Sequence, residues 1–235
     1  MKKALILAAG MGSRLAQAHS RPKPLTDLAG EPSLFRLFRQ FSDSGIEEVA
    51  VVTGYRGQEI KDFVSSEYEG KLQIKWFENH KYKQPNGLSV LAARDFIDQR
   101  VLLSMADHLF YGSPIPQMCA LSTVAPESVL LVDQNIEGVF DLDDATKVKT
   151  DSNGLIIDIG KEISNYNAID TGLFVISPAL IEALDTLESP SLSAGVKALG
   201  ERNLMKTLQL KDGIWQDIDT PAALKNALKL IDSRK

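Results

Sequence analysis

The chain has 235 residues, of which 44% are hydrophobic and 24% are charged, and its mean hydropathy is -0.09. These values exclude a disordered or fibrous protein and predict a globular protein with one large domain or two small ones. Because 26 Lys and Arg stand against 31 Asp and Glu, the net charge is -5, which argues against binding to nucleic acid or to an anionic membrane surface.

The amino terminus has some features of a signal peptide. Lys2 and Lys3 precede an apolar segment, but that segment ends after six residues at Gly10, which is too short for a signal sequence and fits a buried strand. No later segment approaches the roughly 18 apolar residues of a membrane span. Cys119 is the single cysteine, so no internal disulfide can form, which suits a reducing compartment. We expect a cytoplasmic protein without direct membrane insertion.

In the first half, short β-rich segments alternate with amphipathic helical segments. Strands are predicted at 3–9, 48–53, 72–77 and 100–106. Helices are predicted at 32–44, 57–67 and 87–96. Strands that are apolar on both faces and joined by helices form parallel sheets covered on both sides. The sequence therefore predicts an α/β fold with a mostly parallel central sheet and helices on both faces, and such sheets bind ligands beyond the carboxyl ends of their strands.

The second half is less regular. Strands are predicted at 128–133, 146–150, 155–160, 168–176 and near 206–210, and helices at 178–187, 192–202 and 219–232. The turn-forming residues at 151–154 predict a hairpin, so antiparallel strands enter the sheet in this half. No repeat or linker divides the chain, which predicts one domain, 1–235, with two halves at 1–110 and 111–235.

A glycine-rich segment, LAAGMGSRLAQAHSRPKPL at 7–25, follows the first predicted strand. Gly10 and Gly12 permit a turn whose amides can cradle phosphate oxygens. Leu15 stands where a dinucleotide-binding fingerprint needs its third glycine, and the Gly-Lys-Ser/Thr of a P-loop is absent. Residues 1–26 carry five basic residues and no acidic one. The prolines on both sides of Lys23 stiffen its backbone, so the segment predicts a polyphosphate site.

The motifs LAAGMGSRL and RPKPL resemble the signature of the sugar-phosphate nucleotidyltransferase superfamily. Further similar segments follow in the same order: QPNGLS at 84–89, MADH at 105–108, DATKV at 144–148, IGK at 159–161, IDTGLF at 169–174 and WQDIDTP at 215–221. Within the superfamily, this set is most similar to CTP:inositol-1-phosphate cytidylyltransferases. The resemblance implies a Rossmann-like nucleotidyltransferase fold and a reaction in which an acceptor phosphate attacks the α-phosphorus of CTP with Mg²⁺, giving a CDP-alcohol and pyrophosphate.

The resemblance assigns the metal and the catalytic cations. Asp107 follows a predicted strand, where a carboxylate can hold Mg²⁺, a cation that prefers oxygen ligands. Asp219 is the expected second ligand and Asp217 the alternative, although either could simply cap the helix predicted from 219. Arg14 and Lys23 are expected to screen the phosphates and stabilise the leaving pyrophosphate.

The remaining histidines add no metal site. His108 is expected to support the metal ligands without binding the ion. His19 and His80 are treated as surface residues, because the three histidines lack the spacing of a zinc site.

The first half is expected to bind the nucleotide. The backbone of 8–10 and the turn at 84–89 are expected to read the base, although Pro85-Asn86-Gly87 also fits an ordinary turn, and only the resemblance favours cytosine. The nucleotide-binding residues predicted in this way are Leu7, Ala8, Ala9, Gly10, Met11, Gly12, Ser13, Gln84, Asn86, Gly87, Ser89 and Ala106.

The second half is expected to bind the acceptor. By the same resemblance, the predicted acceptor residues are Asp133, Lys147, Lys161, Asp170, Thr171 and Gly172. Lys161 would meet the acceptor phosphate and Asp170 its hydroxyls, whereas Lys147 could simply lie on the outward face of a strand. The expected partners are a nucleoside triphosphate and a small phosphorylated alcohol, and the chain is expected to be a monomer or homodimer.

Other functions remain open. They are a phosphocholine or aminoethylphosphonate cytidylyltransferase, a hexose-1-phosphate nucleotidyltransferase, and a non-catalytic nucleotide-sensing module. A quaternary ammonium acceptor would need an aromatic cage, for which Phe110, Tyr111, Tyr166 and Trp215 are the candidates.

Overall fold

The structure is a computed structural model that describes residues 1–16, 21–121 and 127–234; His19 lies outside them. The strands in this part of the chain are β1 (Lys3–Ala8), β2 (Glu48–Thr53), β3 (Gln73–Glu78), β4 (Val101–Met105), β5 (His108–Tyr111), β6 (Ser128–Asp133), β7 (Lys147–Thr150), β8 (Ile156–Gly160), β9 (Ala168–Ile176), β10 (Met205–Gln209) and β11 (Ile214–Asp217). The helices are α1 (Ser13–Ala16), α2 (Ser33–Asp43), α3 (Gly57–Glu67), α4 (Gly87–Ala92), α5 (Pro114–Cys119), α6 (Pro178–Asp185), α7 (Leu192–Glu201) and α8 (Pro221–Asp232).

Most of the strands form one large sheet. Its central path runs in the order β10-β6-β9-β4-β1-β2-β3. Strands β4, β1, β2 and β3 are parallel to one another, and β10 is parallel to β6, whereas β9 is antiparallel to both β4 and β6. The hairpin of β7 and β8 turns at 151–154 and pairs antiparallel with β9. The predicted α/β fold, with a mostly parallel sheet and antiparallel strands in the second half, is confirmed.

Helices cover both faces of the sheet because successive side chains of a strand point to opposite faces. On β1, Leu5 and Leu7 pack in one cluster with α4, α6 and α7. Ala4 and Ile6 pack in the other cluster with α2, α3 and α5. The helix predicted over 87–96 ends at Ala92 and is followed by a separate 3₁₀ turn, Arg94–Phe96. The division into halves at residue 110 stays a prediction.

A small second sheet, which the sequence pattern did not predict, completes the fold. Strands β5 and β11 are four residues each, too short for a clear period. They pair antiparallel, with His108 opposite Asp217. Leu15, Leu109 and Ile218 pack with α8 in a third apolar cluster. This packing fixes the carboxyl-terminal segment against the loops that follow β1 and β4.

The carboxyl ends of β1 and β4 lie side by side, since these strands are parallel. The amide of Ala106, just after β4, donates to Leu7 O at 3.1 Å, and the amide of Ile218 donates to Asp107 O at 2.9 Å. Three distant segments of the chain therefore meet at one edge of the sheet. Among the described helices, none combines the length and apolar character needed to cross a membrane.

Candidate active site

The loop after β1 encloses a cavity of about 290 Å³, the loop cavity. Its described lining residues are Leu7, Ala8, Gly10, Met11, Gly12, Ser13, Arg14, Lys23, Pro24, Ala106, Asp107 and Asp219. This set contains most of the predicted nucleotide-binding residues, both predicted catalytic cations and two predicted metal ligands. The glycine-rich loop and the carboxylates at the ends of β4 and β11 therefore share one cavity.

Gly12 is required by the way the loop crosses the segment around Lys23. Its φ is +56°, in the region that favours glycine. A Cβ atom at this position would lie 2.8 Å from Cβ of Lys23, closer than carbon atoms pack. The absence of a side chain at Gly12 thus lets Lys23 pass directly beneath the loop.

Lys23 provides the central positive charge of the site. It begins the 3₁₀ turn Lys23–Leu25, and only 9% of its side chain is exposed. Its Nζ donates to Asp107 Oδ2 at 2.6 Å and to Asp219 Oδ1, and it lies 3.9 Å from Asp217 Oδ1. Carboxylates from the ends of β4 and β11 therefore converge on one ammonium group supplied by the amino-terminal segment.

Asp107 and His108, which follow β4, are in direct contact. His108 Nδ1 lies 2.8 Å from Asp107 Oδ1. Burial opposes ionisation of Asp107, but Lys23 and His108 outweigh burial and hold the pKa of Asp107 well below its ordinary value. Burial alone would lower the pKa of His108, but the carboxylates of Asp107 and Asp217 outweigh it and raise that pKa. Asp107 is therefore a carboxylate at neutral pH, and His108 holds one of its oxygens.

Asp219 lies between β11 and α8, where the sequence left a capping role open. The structure assigns the cap to Thr220, whose Oγ1 accepts from the amide of Ala223 at 3.1 Å. The carboxylate of Asp219 is directed to cations instead, because its Oδ1 accepts from Lys23 and its Oδ2 lies 2.5 Å from Arg14 Nη2. Helix capping therefore does not explain Asp219.

The oxygen atoms around Lys23 fit a hard divalent cation. Asp217 Oδ1 is buried and accepts no hydrogen bond from the described residues, and burial raises the pKa of Asp217. Oxygens of Asp144, Asp217 and Asp219 lie within 4.8 Å of one another. Magnesium prefers such carboxylate oxygens, and the Lys23 ammonium among Asp107, Asp217 and Asp219 shows that this position favours a cation.

Asp144 belongs to the site but is absent from the predicted set. Its Oδ2 accepts from Arg14 Nη1 at 2.9 Å, and its Oδ1 accepts from Lys161 Nζ at 2.6 Å. Partial burial would raise the pKa of Asp144, but Lys161 and Arg14 outweigh burial and lower it. The available signal was the DATKV motif, which begins at Asp144.

A second cavity of about 290 Å³, the aspartate cavity, lies next to the loop cavity and shares Asp107 and Asp219 with it. Its described lining includes the predicted residues Asn86, Lys161, Asp170, Gly172 and Asp217. In total, six aspartates are among its described lining residues: Asp107, Asp141, Asp144, Asp170, Asp217 and Asp219. Asp107 and Asp219, which both bind Lys23, form a wall shared by the two cavities. Ligands in the two cavities would therefore meet at this wall.

Asp170 and Gly172 shape the floor of the aspartate cavity. Asp170 Oδ1 accepts from the amide of Gly172 at 2.7 Å, but burial dominates and raises the pKa of Asp170 to about 6. Gly172 has a φ of +72°, and a Cβ there would lie 2.5 Å from Nε2 of His108. Glycine at this position therefore lets His108 approach β9 while it holds Asp107.

Three predicted acceptor residues do not line the aspartate cavity as described. The carboxylate of Asp133 accepts from Trp215 Nε1 at 2.9 Å and lines another cavity, of about 250 Å³. The buried Lys147 donates to Asp143 O, and the buried Thr171 hydroxyl donates to Leu131 O, at 2.9 and 2.8 Å. Local hydrogen bonding and packing explain these positions.

Part of the predicted nucleotide set also lies elsewhere. Among the described residues, neither shared-wall cavity is lined by Ala9, Gln84, Gly87 or Ser89. The carbonyl of Ala9 accepts from Tyr55 N at 3.1 Å, and buried Ser89 accepts from Asn79 Nδ2 at 2.9 Å. Asn86 lines the aspartate cavity, where its Oδ1 accepts from Leu192 N at 2.8 Å. The turn at 84–89 is thus directed to the second cavity through Asn86.

The four aromatic residues considered for a cage do not converge. Trp215 lines the aspartate cavity and stacks on His108 with ring centroids 6.2 Å apart. Phe110 is buried, with 1% exposed, and Tyr111 Oη donates to Arg234 O. Tyr111 and Tyr166 are not among the described residues that line the aspartate cavity.

Comparisons with known proteins find relatives over nearly the whole chain. The chain is 31% identical, over 97% of its length and 51% of the relative, to the bifunctional IPC transferase and DIPP synthase of Rubrobacter xylanophilus. It is 28% identical, over 96% of its length and 38% of the relative, to the CMP-5'-(3-aminopropyl)phosphonate synthase of Streptomyces rubellomurinus. The chain thus spans about half, or less, of these curated relatives.

The fold is shared with solved structures. The inositol-1-phosphate CTP transferase from T. maritima superposes with a TM-score of 0.81 over 100% of this chain and 97% of that one, at 23% identity. Residues 4–203 match the MobA-like NTP transferase domain. That match covers most of the chain and includes the loop at 7–14, Lys23 and Asp107, whereas Asp219 lies beyond it. The chain therefore belongs to the MobA-like NTP transferase family.

Proposed function

We propose that this chain transfers a cytidylyl group from CTP to a phosphorylated alcohol, with inositol 1-phosphate as the favoured acceptor, and releases pyrophosphate. The observation that carries the proposal is the wall shared by the two cavities, where Lys23 lies between Asp107 and Asp219. A triphosphate in the loop cavity and an acceptor phosphate in the aspartate cavity would meet at that wall. Such juxtaposition is the main requirement of phosphoryl-type transfer.

The chemistry needs no covalent intermediate. An oxygen of the acceptor phosphate attacks the α-phosphorus of CTP and forms a new P–O bond. The bond from the α-phosphorus to the oxygen that bridges to the β-phosphorus breaks, and pyrophosphate leaves with the electron pair. Catalysis then rests on alignment and charge stabilisation, which the cations of this site can supply.

Charge repulsion is the obstacle that Arg14 and Lys23 would overcome. Two unit charges at 4 Å interact by roughly 4 kcal/mol at an effective dielectric near 20, and both substrates carry several negative charges. Arg14 retains donors beyond those that bind Asp144 and Asp219. Arg14 and Lys23 would bind the triphosphate and stabilise the charge that develops on pyrophosphate.

Mg²⁺ is the proposed cofactor. When bound, it would screen the phosphates and stabilise negative charge in the transition state. A triphosphate would draw Arg14 and Lys23 toward its oxygens, so Asp219 would lose both cationic partners and Asp107 would keep only His108. These two residues, with the unpartnered Oδ1 of Asp217, would hold the ion.

The relatives support the choice of base and acceptor. The structural neighbour from T. maritima is described as an inositol-1-phosphate CTP transferase. In this chain, Lys161 would bind the acceptor phosphate, and the Asp170 carboxylate would accept hydrogen bonds from acceptor hydroxyls. Both residues line the aspartate cavity.

The charge of the aspartate cavity favours a second candidate acceptor. Its described lining contains six aspartates but one lysine, Lys161. A phosphonate or phosphate with an amino group would complement this excess of carboxylates better than a neutral polyol. The relative from Streptomyces rubellomurinus, named for an aminopropylphosphonate product, is consistent with this candidate.

A matrix assay tests both candidates. The protein is incubated with Mg²⁺, each of CTP, UTP, GTP, ATP and dTTP, and a panel of inositol phosphates, aminoalkyl phosphonates, phosphocholine and hexose 1-phosphates, and pyrophosphate is measured. We expect release with CTP and inositol 1-phosphate. Release only with a hexose 1-phosphate and UTP or dTTP would overturn cytidylyl transfer, and nucleotide binding without any release would favour a sensing module.

A further inference from the structure

Asp144 connects the two cavities electrostatically. It lies three residues before β7 and lines the aspartate cavity. One of its oxygens binds Arg14, which lines the loop cavity, and the other binds Lys161, which lines the aspartate cavity. Arg14 and Lys161 are 147 positions apart in the sequence, yet a single carboxylate binds both.

The arrangement leaves both cations able to bind ligands. A guanidinium has five N–H donors and an ammonium three, so most donors of Arg14 and Lys161 are not used by Asp144. The side chains of Arg14 and Lys161 are 49% and 50% exposed. Without Asp144 between them, the like charges of Arg14 and Lys161 would repel each other. Asp144 therefore keeps the two cations close while their free donors face the cavities.

We propose that Asp144 is a positioning residue that aligns Arg14 with Lys161, so that the phosphates bound by these two cations are held within reacting distance. The proposal rests on the proposed function, since it needs one phosphate-bearing substrate in each cavity. Although Asp144 lies near Asp217 and Asp219, its two oxygens bind Arg14 and Lys161, so the metal is assigned to Asp107, Asp217 and Asp219, and Asp144 has no contact with substrate or metal. The loss of Asp144 should thus slow the transfer step while each substrate still binds.

The test compares Asp144→Asn with Asp143→Asn. Both variants remove one negative charge from the same loop, but Asp143 is exposed and is not among the described lining residues. For Asp144→Asn we expect kcat to fall by about tenfold to a hundredfold, because small misalignments are costly in such reactions. The KM values for CTP and acceptor should change by less than about threefold if alignment alone is lost. Asp143→Asn should match the wild type.

Three further measurements separate positioning from other roles. Thermal melting should be nearly unchanged in Asp144→Asn, because exposed ion pairs contribute little to stability. The Mg²⁺ concentration for half-maximal activity should also be unchanged, and an increase would identify Asp144 as a metal ligand and overturn the inference. The defects of Asp144→Asn and Lys161→Ala should not add in the double variant, since both act through one unit.

The outcomes distinguish this inference from the proposed function. An active wild type with equal kcat in Asp144→Asn and Asp143→Asn would refute the role of Asp144 alone. A wild type that transfers a nucleotide from a triphosphate other than CTP would refute cytidylyl transfer, and the same comparison would then be made with that pair. A wild type that transfers no nucleotide would refute both.

Discussion

The loop cavity and the aspartate cavity share Asp107 and Asp219 but are built differently. Much of the loop cavity comes from one continuous segment, 7–14, whose glycines and small residues offer backbone groups. The aspartate cavity is assembled from side chains on segments around β4, β7, β8, β9, α7 and α8. Backbone groups of the loop can bind the phosphates that all nucleotides have in common. The side chains of the aspartate cavity, in contrast, can be changed by single substitutions.

This difference indicates that the two cavities have separate roles in binding. Changes at the shared wall should affect any reaction of the enzyme, because both ligands meet there. Changes in the loop should act mainly on the triphosphate, and changes in the aspartate cavity mainly on the acceptor. The predictions below test this division, beginning with the shared wall.

The largest effect is expected at Asp107. Asp107→Ala removes a carboxylate that is held by Lys23 and His108, so the proposed metal site and the alignment of Lys23 are lost together. Turnover should fall at least about a hundredfold, the size typical of lost electrostatic stabilisation. Pyrophosphate release measures the effect, and circular dichroism checks the fold. Asp98→Asn serves as the surface control. Among the described ion pairs, Asp98 pairs only with Lys3, which lines neither cavity. Near-normal turnover in Asp107→Ala would remove Asp107 from the mechanism.

The loop should be sensitive to a single methyl group. In Gly12→Ala, the new Cβ would meet Lys23, so the loop and Lys23 must move apart and KM for CTP should rise about tenfold or more, as expected for displaced binding groups. Gly45→Ala is the control, because Gly45 also has a positive φ, +82°, but its Cβ would have no atom within 4 Å. Equal activity of the two variants would mean that the close approach of Gly12 and Lys23 is unimportant.

A pH-dependent effect is expected in the aspartate cavity. Burial raises the pKa of Asp170 to about 6, above the value of about 3.8 for an unperturbed Asp. Between these two values the folded protein binds more protons than the unfolded chain, so the contribution of Asp170 to stability is present at low pH and is lost as the pH rises through about 6.

The isosteric variant Asp170→Asn should therefore melt at a higher temperature than the wild type at pH 7, by an amount equivalent to roughly 3 kcal/mol. The difference should shrink as the pH approaches 4. In the same variant, KM for a polyol acceptor should rise and lose its dependence on pH near 6. A difference in melting temperature that stays constant from pH 4 to pH 8 would contradict the role of burial at Asp170.

What the sequence could predict depends on how local the information is. Gly12 and Lys23 lie in one short segment, whose glycines predicted a turn and whose prolines predicted a stiff backbone at Lys23, whereas the close approach of Gly12 to Lys23 appears only in the structure. The long strands and helices were also predicted, since each carries its own period. Asp144 was missed because its partners Arg14 and Lys161 become neighbours only through folding.

The same limit explains two other differences. Asp217 and Asp219 were the candidates for the helix cap, and only the position of the Thr220 side chain shows that Thr220 is the cap. The β5–β11 pair escaped prediction because its stability comes from packing against α8 and not from its own sequence pattern. Tertiary contacts, which a periodic pattern does not encode, determine these features.

The smallest catalytic effect is expected at Thr171, which the resemblance assigned to the acceptor. Its side chain is fully buried, and its hydroxyl donates to Leu131 O at 2.8 Å. In Thr171→Val, that buried carbonyl loses a donor, so stability should fall by about 1 kcal/mol, measured by urea unfolding. The kinetic constants should stay within about twofold of the wild type, because Thr171 is not among the described residues that line either cavity. A tenfold rise in KM for the acceptor, with CTP unaffected and the fold intact, would instead place Thr171 in contact with the acceptor and enlarge the aspartate cavity beyond its described lining.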